Sequence, residues 1–168
     1  MARVITFSRV FPKGHPKAGR ETNFIQKIWT AIKVPLPCSV HADQLNDEMM
    51  KLFLRSWIPK YHTIRAGHRF KVGDKFSPRV WSGKPYASKQ IIIADDIEVK
   101  KTWDVEMDEN QIISIDGKYI HEFDDLIKFD SWERLAMNDG LSLDDFLCWF
   151  DKLPFEGQII CWNENINY

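Results

Sequence analysis

Lys60-Tyr61-His62-Thr63-Ile64-Arg65, followed closely by Arg69-Phe70-Lys71-Val72-Gly73-Asp74, is the stretch that decides how this chain is read. If Thr63 to Arg65 is extended, Thr63 and Arg65 share a face, because strand side chains repeat every second residue. Lys60 follows Pro59 at a turn or strand start and can reach back toward that face. A hydroxyl, an ammonium and a guanidinium on one cavity would attract anions and could activate an oxygen nucleophile. The simpler alternative is a surface strand whose basic side chains are solvated.

Outward from this stretch, the chain reads as short strands with helices set between them. Arg3 to Val10 alternates and is β-branched, which predicts an opening strand. Pro12, Gly14, Pro16 and Gly19 mark a long basic loop. Apolar residues from Phe24 to Ile32 recur at helical spacing, predicting a helix over 23–33 with Thr22 as N-cap. A second amphipathic helix is expected over 43–57 and ends at Pro59. Beyond it, 63–65, 75–81 and 89–93 read as strands, and 97–107 as one longer strand with a bulge. Asp116-Gly117 signals a two-residue hairpin between 111–115 and 118–121. A short helix is predicted over 132–137, and Ser142 with Asp145 opens another that runs to about Lys152. The apolar run 157–162 closes the chain as a buried strand. This order predicts an α+β fold, a small mixed β-barrel with flanking helices.

At 168 residues the chain fits one domain with a substantial core, and 44% hydrophobic content argues against disorder. No apolar run is long enough for a membrane span, and no signal-like segment opens the chain, so no membrane partner is expected. Cys38, Cys148 and Cys161 are odd in number and lack CxxC spacing, which reads as free thiols in a reducing, cytoplasmic setting. The five histidines show no metal-ligand spacing, so neither metal nor cofactor is expected.

The net charge of −1 hides a polarity: residues 1–94 carry 17 Lys and Arg against 5 Asp and Glu, whereas 95–168 carry 6 against 19. Within 55–89, nine basic residues face only Asp74, with Trp57, Tyr61, Phe70, Phe76, Trp81 and Tyr86 threaded among them. Cations hold phosphates and aromatic faces stack bases, so this mixture fits a nucleic-acid or nucleotide surface. Alternatively, the basic half folds against the acidic half and neutralises itself.

Four segments in order resemble the ASCH domain, a small barrel related to the PUA RNA-binding fold. They are Ile5–Phe11, the Lys-x-x-Thr-x-Arg of Lys60–Arg65, the turn Phe70–Asp74, and Leu135–Leu143. The resemblance covers about two-thirds of the chain as a single domain over 1–168, and leaves 18–57 as a helical insertion. It implies RNA binding. One branch of the family is an amidohydrolase that deacetylates acetylated cytidine nucleosides with lysine, threonine and glutamate. Carried over, these roles fall on Lys60, Thr63 and Asp139, the last shorter than glutamate by one methylene.

Two chemistries follow. In a binding reading, Arg9, Arg65, Arg69, Lys71 and Arg79 donate to RNA or a modified nucleoside while Trp81 and Tyr86 stack on it. In a hydrolytic reading, Thr63 attacks an acyl carbonyl, Lys60 takes its proton, and Asp139 orients the lysine or shuttles a proton to the leaving amine. Ser82-Gly83-Lys84-Pro85 lacks the glycine spacing of a phosphate loop. A third reading is a protein-interaction module on the insertion, with Phe24 or Trp29 on its exposed face. Turn formation alone would also account for Asn138-Asp139-Gly140.

Overall fold

The computed structural model describes residues 2–32, 58–120 and 132–168. The helix expected over 43–57, Trp57, Cys38 and most of the expected insertion lie outside them. The described residues form nine strands and three helices, a mixed α+β arrangement.

Two sheets carry the fold. In the first, β1 (Arg3–Phe7) runs parallel to β3 (Lys75–Trp81), with Arg3 opposite Phe76 and Phe7 opposite Val80. β4 (Gln90–Ile92) and β5 (Ile97–Glu98) both pair antiparallel with β3. The second sheet has five antiparallel strands in the order β2 (His62–Ala66), β9 (Phe155–Cys161), β6 (Lys101–Met107), β7 (Ile113–Ile115) and β8 (Lys118–Tyr119). Ile5, Phe76, Val80, Ile159 and Ile160 belong to one hydrophobic core.

The sheets correct two expectations. No ladder joins them among the described residues, so the strands do not close into a barrel there. The run 97–107 is not one bulged strand either. Its start pairs with β3 in the first sheet and its remainder with β9 in the second. Val99 and Lys100 carry the chain across: Val99 N–H donates to Asp74 O at 2.8 Å, and Lys100 N–H donates to Cys161 O at 2.8 Å. Alternation cannot reveal such a switch, because a strand's period is the same whichever partner it takes.

The helices follow local chemistry. α1 (Phe24–Ile32) starts beside Thr22, whose Oγ1 accepts from Phe24 N at 3.4 Å. α2 (Trp132–Asn138) ends in a Schellman turn, with Gly140 N–H donating to Met137 O and Leu141 N–H to Ala136 O. Gly140 takes the left-handed conformation that this turn requires, at φ 77°. α3 (Leu143–Trp149) is capped by Ser142, which accepts from Asp145 N, and stops three residues before Lys152. Asp116 and Gly117, at φ 48° and 75°, make the expected primed turn between β7 and β8.

Gly157 controls where β2 sits. It lies opposite Ala66, and a Cβ there would approach Arg65 O to 2.3 Å and the Phe155 ring to 2.8 Å. Backbone cannot yield as a flexible side chain would, so any larger residue must push β2 off β9. Gly157→Ala is expected to destabilise the protein by about 1–3 kcal/mol, the range for overpacking, as read from the urea midpoint of unfolding.

Candidate functional site

Asp139 follows the last residue of α2, and the Schellman turn through Gly140 fixes its direction. Lys60 is brought to it by two backbone bonds: Lys60 N–H donates to Lys27 O at 3.0 Å, and Tyr61 N–H to Asn138 O at 2.8 Å. Gly140 is also needed for this approach, since a Cβ on it would stand 3.1 Å from Lys60 Cβ. The turn and the site are thus one structure, and Asp139 serves both.

The Lys60 ammonium is wholly removed from solvent, at 0% exposure. It donates to Asp139 Oδ1 at 2.8 Å and to Asp139 O at 2.5 Å. Its nitrogen also lies 4.4 Å from the Phe24 ring centroid and 5.9 Å from that of Phe7. Burial lowers the Lys60 pKa from 10.5 to about 8, against the opposing pull of Asp139 and with help from Arg65 and Lys27. Burial alone would raise the Asp139 carboxyl, but the Lys60 charge beside it holds it below its ordinary value.

Behind this pair stands a network with no counterpart in the expected site. Asn138 Nδ2 donates to Tyr168 Oη at 2.8 Å, and Tyr168 Oη lies 2.8 Å from His62 Nε2. Nδ1 faces Asp139 Oδ1 at 3.5 Å without making a hydrogen bond. Burial lowers the His62 pKa, so the ring is neutral at pH 7.

Lys60 and Asp139 line a cavity of about 210 Å³ together with Thr63, Arg65, Trp81 and Tyr86. Thr63 is 4% exposed, and no hydrogen bond holds its hydroxyl among the described residues. Arg65 Nη2 donates to Thr6 O at 2.8 Å, its guanidinium carbon lies 5.4 Å from the Phe7 ring centroid, and its Nε is buried with no partner. Trp81 and Tyr86, both on its wall, meet with ring centroids 5.3 Å apart. Tyr86 is 90% exposed and has φ 63°, a left-handed conformation that costs a non-glycine residue roughly 1–3 kcal/mol. A turn stitched by Ser82 N–H to Lys89 O and Gly83 N–H to Ser88 Oγ holds it there.

The other expected contacts are dispersed. Arg9 donates to Ser82 O at 3.0 Å and lines a neighbouring cavity of about 90 Å³ with Thr22 and Phe24. Arg69 lines a third cavity, of about 250 Å³, beyond Arg65. Arg79 is engaged with Ser77 and Gln90, and neither it nor Lys71 lines any of these three cavities. Phe24 and Trp29 do not form an exposed docking face: Phe24 is buried, and Trp29 Nε1 donates to Ile93 O at 2.8 Å. Part of the charge polarity is neutralised internally, through Lys60 with Asp139 and Lys17 with Asp145.

His62, Asn138 and Tyr168 escaped sequence reasoning, as did Phe7 and Phe24 beneath the lysine. His62 carried a usable signal, since it lies two positions from Lys60, whereas nothing local marks Tyr168. Among the described residues no three His, Cys, Asp or Glu side chains are grouped to hold a metal, and no helix is long and apolar enough to cross a membrane. No family model, curated protein or solved structure matches the chain.

Removing one partner of a buried ion pair strands the other. Lys60→Met is therefore expected to cost about 3–5 kcal/mol in urea unfolding, and Lys60→Met with Asp139→Leu distinctly less. The lysine also sets a sign with pH. Its folded pKa of about 8 lies below the ordinary 10.5, so between these values the unfolded chain binds more protons. The Lys60 contribution to stability is then fully present above about 10.5 and lost as pH falls through about 8. Unfolding measured across this window should show that slope in the native chain and not in the double variant.

Proposed function

We propose that this chain is an ASCH-type, PUA-like domain that binds a cytidine or modified cytidine unit of RNA in the cavity between Lys60, Arg65 and Trp81. The observation that carries this reading is the meeting, in one cavity of about 210 Å³, of a buried lysine–carboxylate pair, a guanidinium and two aromatic rings. That volume is below the roughly 300–1,000 Å³ of drug-sized pockets, which suits a single base with part of its sugar. Asp139 Oδ1 is taken by Lys60, so Oδ2 is the oxygen available to accept from an exocyclic amino group. Trp81 and Tyr86 offer stacking faces. The Lys-x-x-Thr-x-Arg spacing supports the family assignment, as does the mixed α+β arrangement of two small sheets with flanking helices.

Cytidine should quench the Trp81 fluorescence and bind saturably, whereas Trp81→Ala weakens it by about 1–3 kcal/mol, the range for one stacked base. Absence of saturable binding by both cytidine and N4-acetylcytidine would overturn the reading. Tyr86→Gly separates function from stability: it relieves the left-handed strain and so preserves or raises the unfolding midpoint, while weakening cytidine.

Two observations favour a second reading, hydrolysis of an acyl amide at the same cavity: the Thr63 hydroxyl has no hydrogen bond among the described residues, and Lys60 is brought down to about 8. A neutral Lys60 amine takes the Thr63 proton as Oγ1 adds to the acyl carbonyl. Arg65 stabilises the oxyanion. Collapse expels the amine, which receives the proton from Lys60, and water then hydrolyses the acyl-threonine ester with Lys60 again as base. Release of acetate from N4-acetylcytidine should rise with pH to a plateau above about 8 and vanish in Thr63→Ala. Saturable binding without turnover leaves the binding reading alone.

A further inference from the structure

The cavity that binds the nucleoside in the reading above is not isolated. Thr6 and Arg65 line both it and the larger cavity of about 250 Å³ beyond them. The two hollows therefore adjoin at the Arg65–Thr6 hydrogen bond, along a seam between β1 and β2. Each of these strands lies at the edge of its own sheet, β1 beside β3 and β2 beside β9, so the seam is walled by backbone with no strand between.

The far hollow has its own chemistry. Arg69 is exposed on its wall, and no hydrogen bond or ion pair holds it among the described residues. Arg3 stands with its guanidinium carbon 5.5 Å from the ring centroid of Phe70, another wall residue, and its nearest anion is Asp74 at 3.8 Å. Gln158 grips Phe70 on both sides, accepting from its N–H at 3.1 Å and donating to its carbonyl at 2.9 Å, which fixes that wall in advance. Among the described residues no acidic side chain lines the hollow.

We propose that this second hollow is a subsite for the neighbouring residue of an RNA strand, with the connecting phosphodiester crossing the seam at Arg65. The inference rests on the nucleoside reading and adds to it a second subsite, which holds the residue next to the bound cytidine. Arg65 stands at the crossing with donors to spare, since among the described residues Nη2 alone is engaged. Arg69 flanks the path beyond it. Guanidinium groups suit a phosphodiester because their planar fork matches its two free oxygens. The cationic rim argues for an anionic strand over a peptide adding to the open β edges.

The test compares cytidine with the two dinucleotides that place adenosine on either side of it, titrated calorimetrically against the full chain. At least one dinucleotide should bind tenfold or more tightly than cytidine, with that gain falling as salt rises, by a slope of about −0.7 per phosphate engaged. Arg69→Gln should remove most of the gain. Ala66→Glu, which sets a carboxylate on the exposed Ala66 position of the far hollow, should abolish the gain and leave cytidine within twofold of its original affinity. If cytidine binds and neither dinucleotide gains, or the gain survives Ala66→Glu, the subsite is overturned and the nucleoside reading stands. If neither cytidine nor a dinucleotide binds, both fall.

Discussion

A lysine with no solvent exposure is the constraint to which the rest of this structure answers. Taking an ammonium out of water costs several kcal/mol even after relaxation, so it is tolerated only with a well-placed anion and satisfied donors. Asp139 provides both a carboxylate and a carbonyl. To bring these together, α2 must end where it does, Gly140 must turn left-handed and lack a side chain, and the Lys60–Tyr61 backbone must run between Lys27 and Asn138. The pair is held by geometry drawn from three separate parts of the chain. It is also balanced: burial pushes the lysine toward neutrality while the aspartate pulls it back, and the outcome lies close to physiological pH.

Arg65 is the second organising contact. Among the described residues the two sheets share a core but no ladder, and Arg65 ties their facing edges by donating from β2 to the Thr6 carbonyl of β1. A guanidinium used as a strut differs from a backbone ladder, because it holds the edges apart as well as together. Hollows remain on both sides of it, each with polar backbone nearby. The proximity of Phe7 to both Lys60 and Arg65 sets two cations against one aromatic ring. Phe7 thus links the opening strand to both cations.

Much of the fold was legible in local patterns because local chemistry decides it. The helix over Phe24–Ile32, the strand over Lys75–Trp81, the Asp116-Gly117 turn and the Ser142 cap all follow from spacing and from residues with strong backbone preferences. The division into two sheets was not legible, since the change of partner at Val99 and Lys100 leaves no mark in the alternation. At the site, Lys60, Thr63 and Arg65 could be grouped by proximity in sequence, and Trp81 and Tyr86 by composition. The spread of Arg9, Arg69, Lys71 and Arg79 over other surfaces could not be foreseen, because charge density along a chain says nothing about which way each side chain turns. Tyr168 reaches His62 across 106 positions, a contact that only the folded topology creates.

Lys60 and Asp139 are 79 positions apart, and this distance has a meaning during synthesis. At about 5–20 residues per second, a ribosome needs roughly 4–16 s to make the aspartate after the lysine. Throughout that interval the ammonium has no anion to accompany it out of water. The nascent N-terminal part must therefore wait in a hydrated, incomplete form, and its interior can seal only once the C-terminal third has emerged.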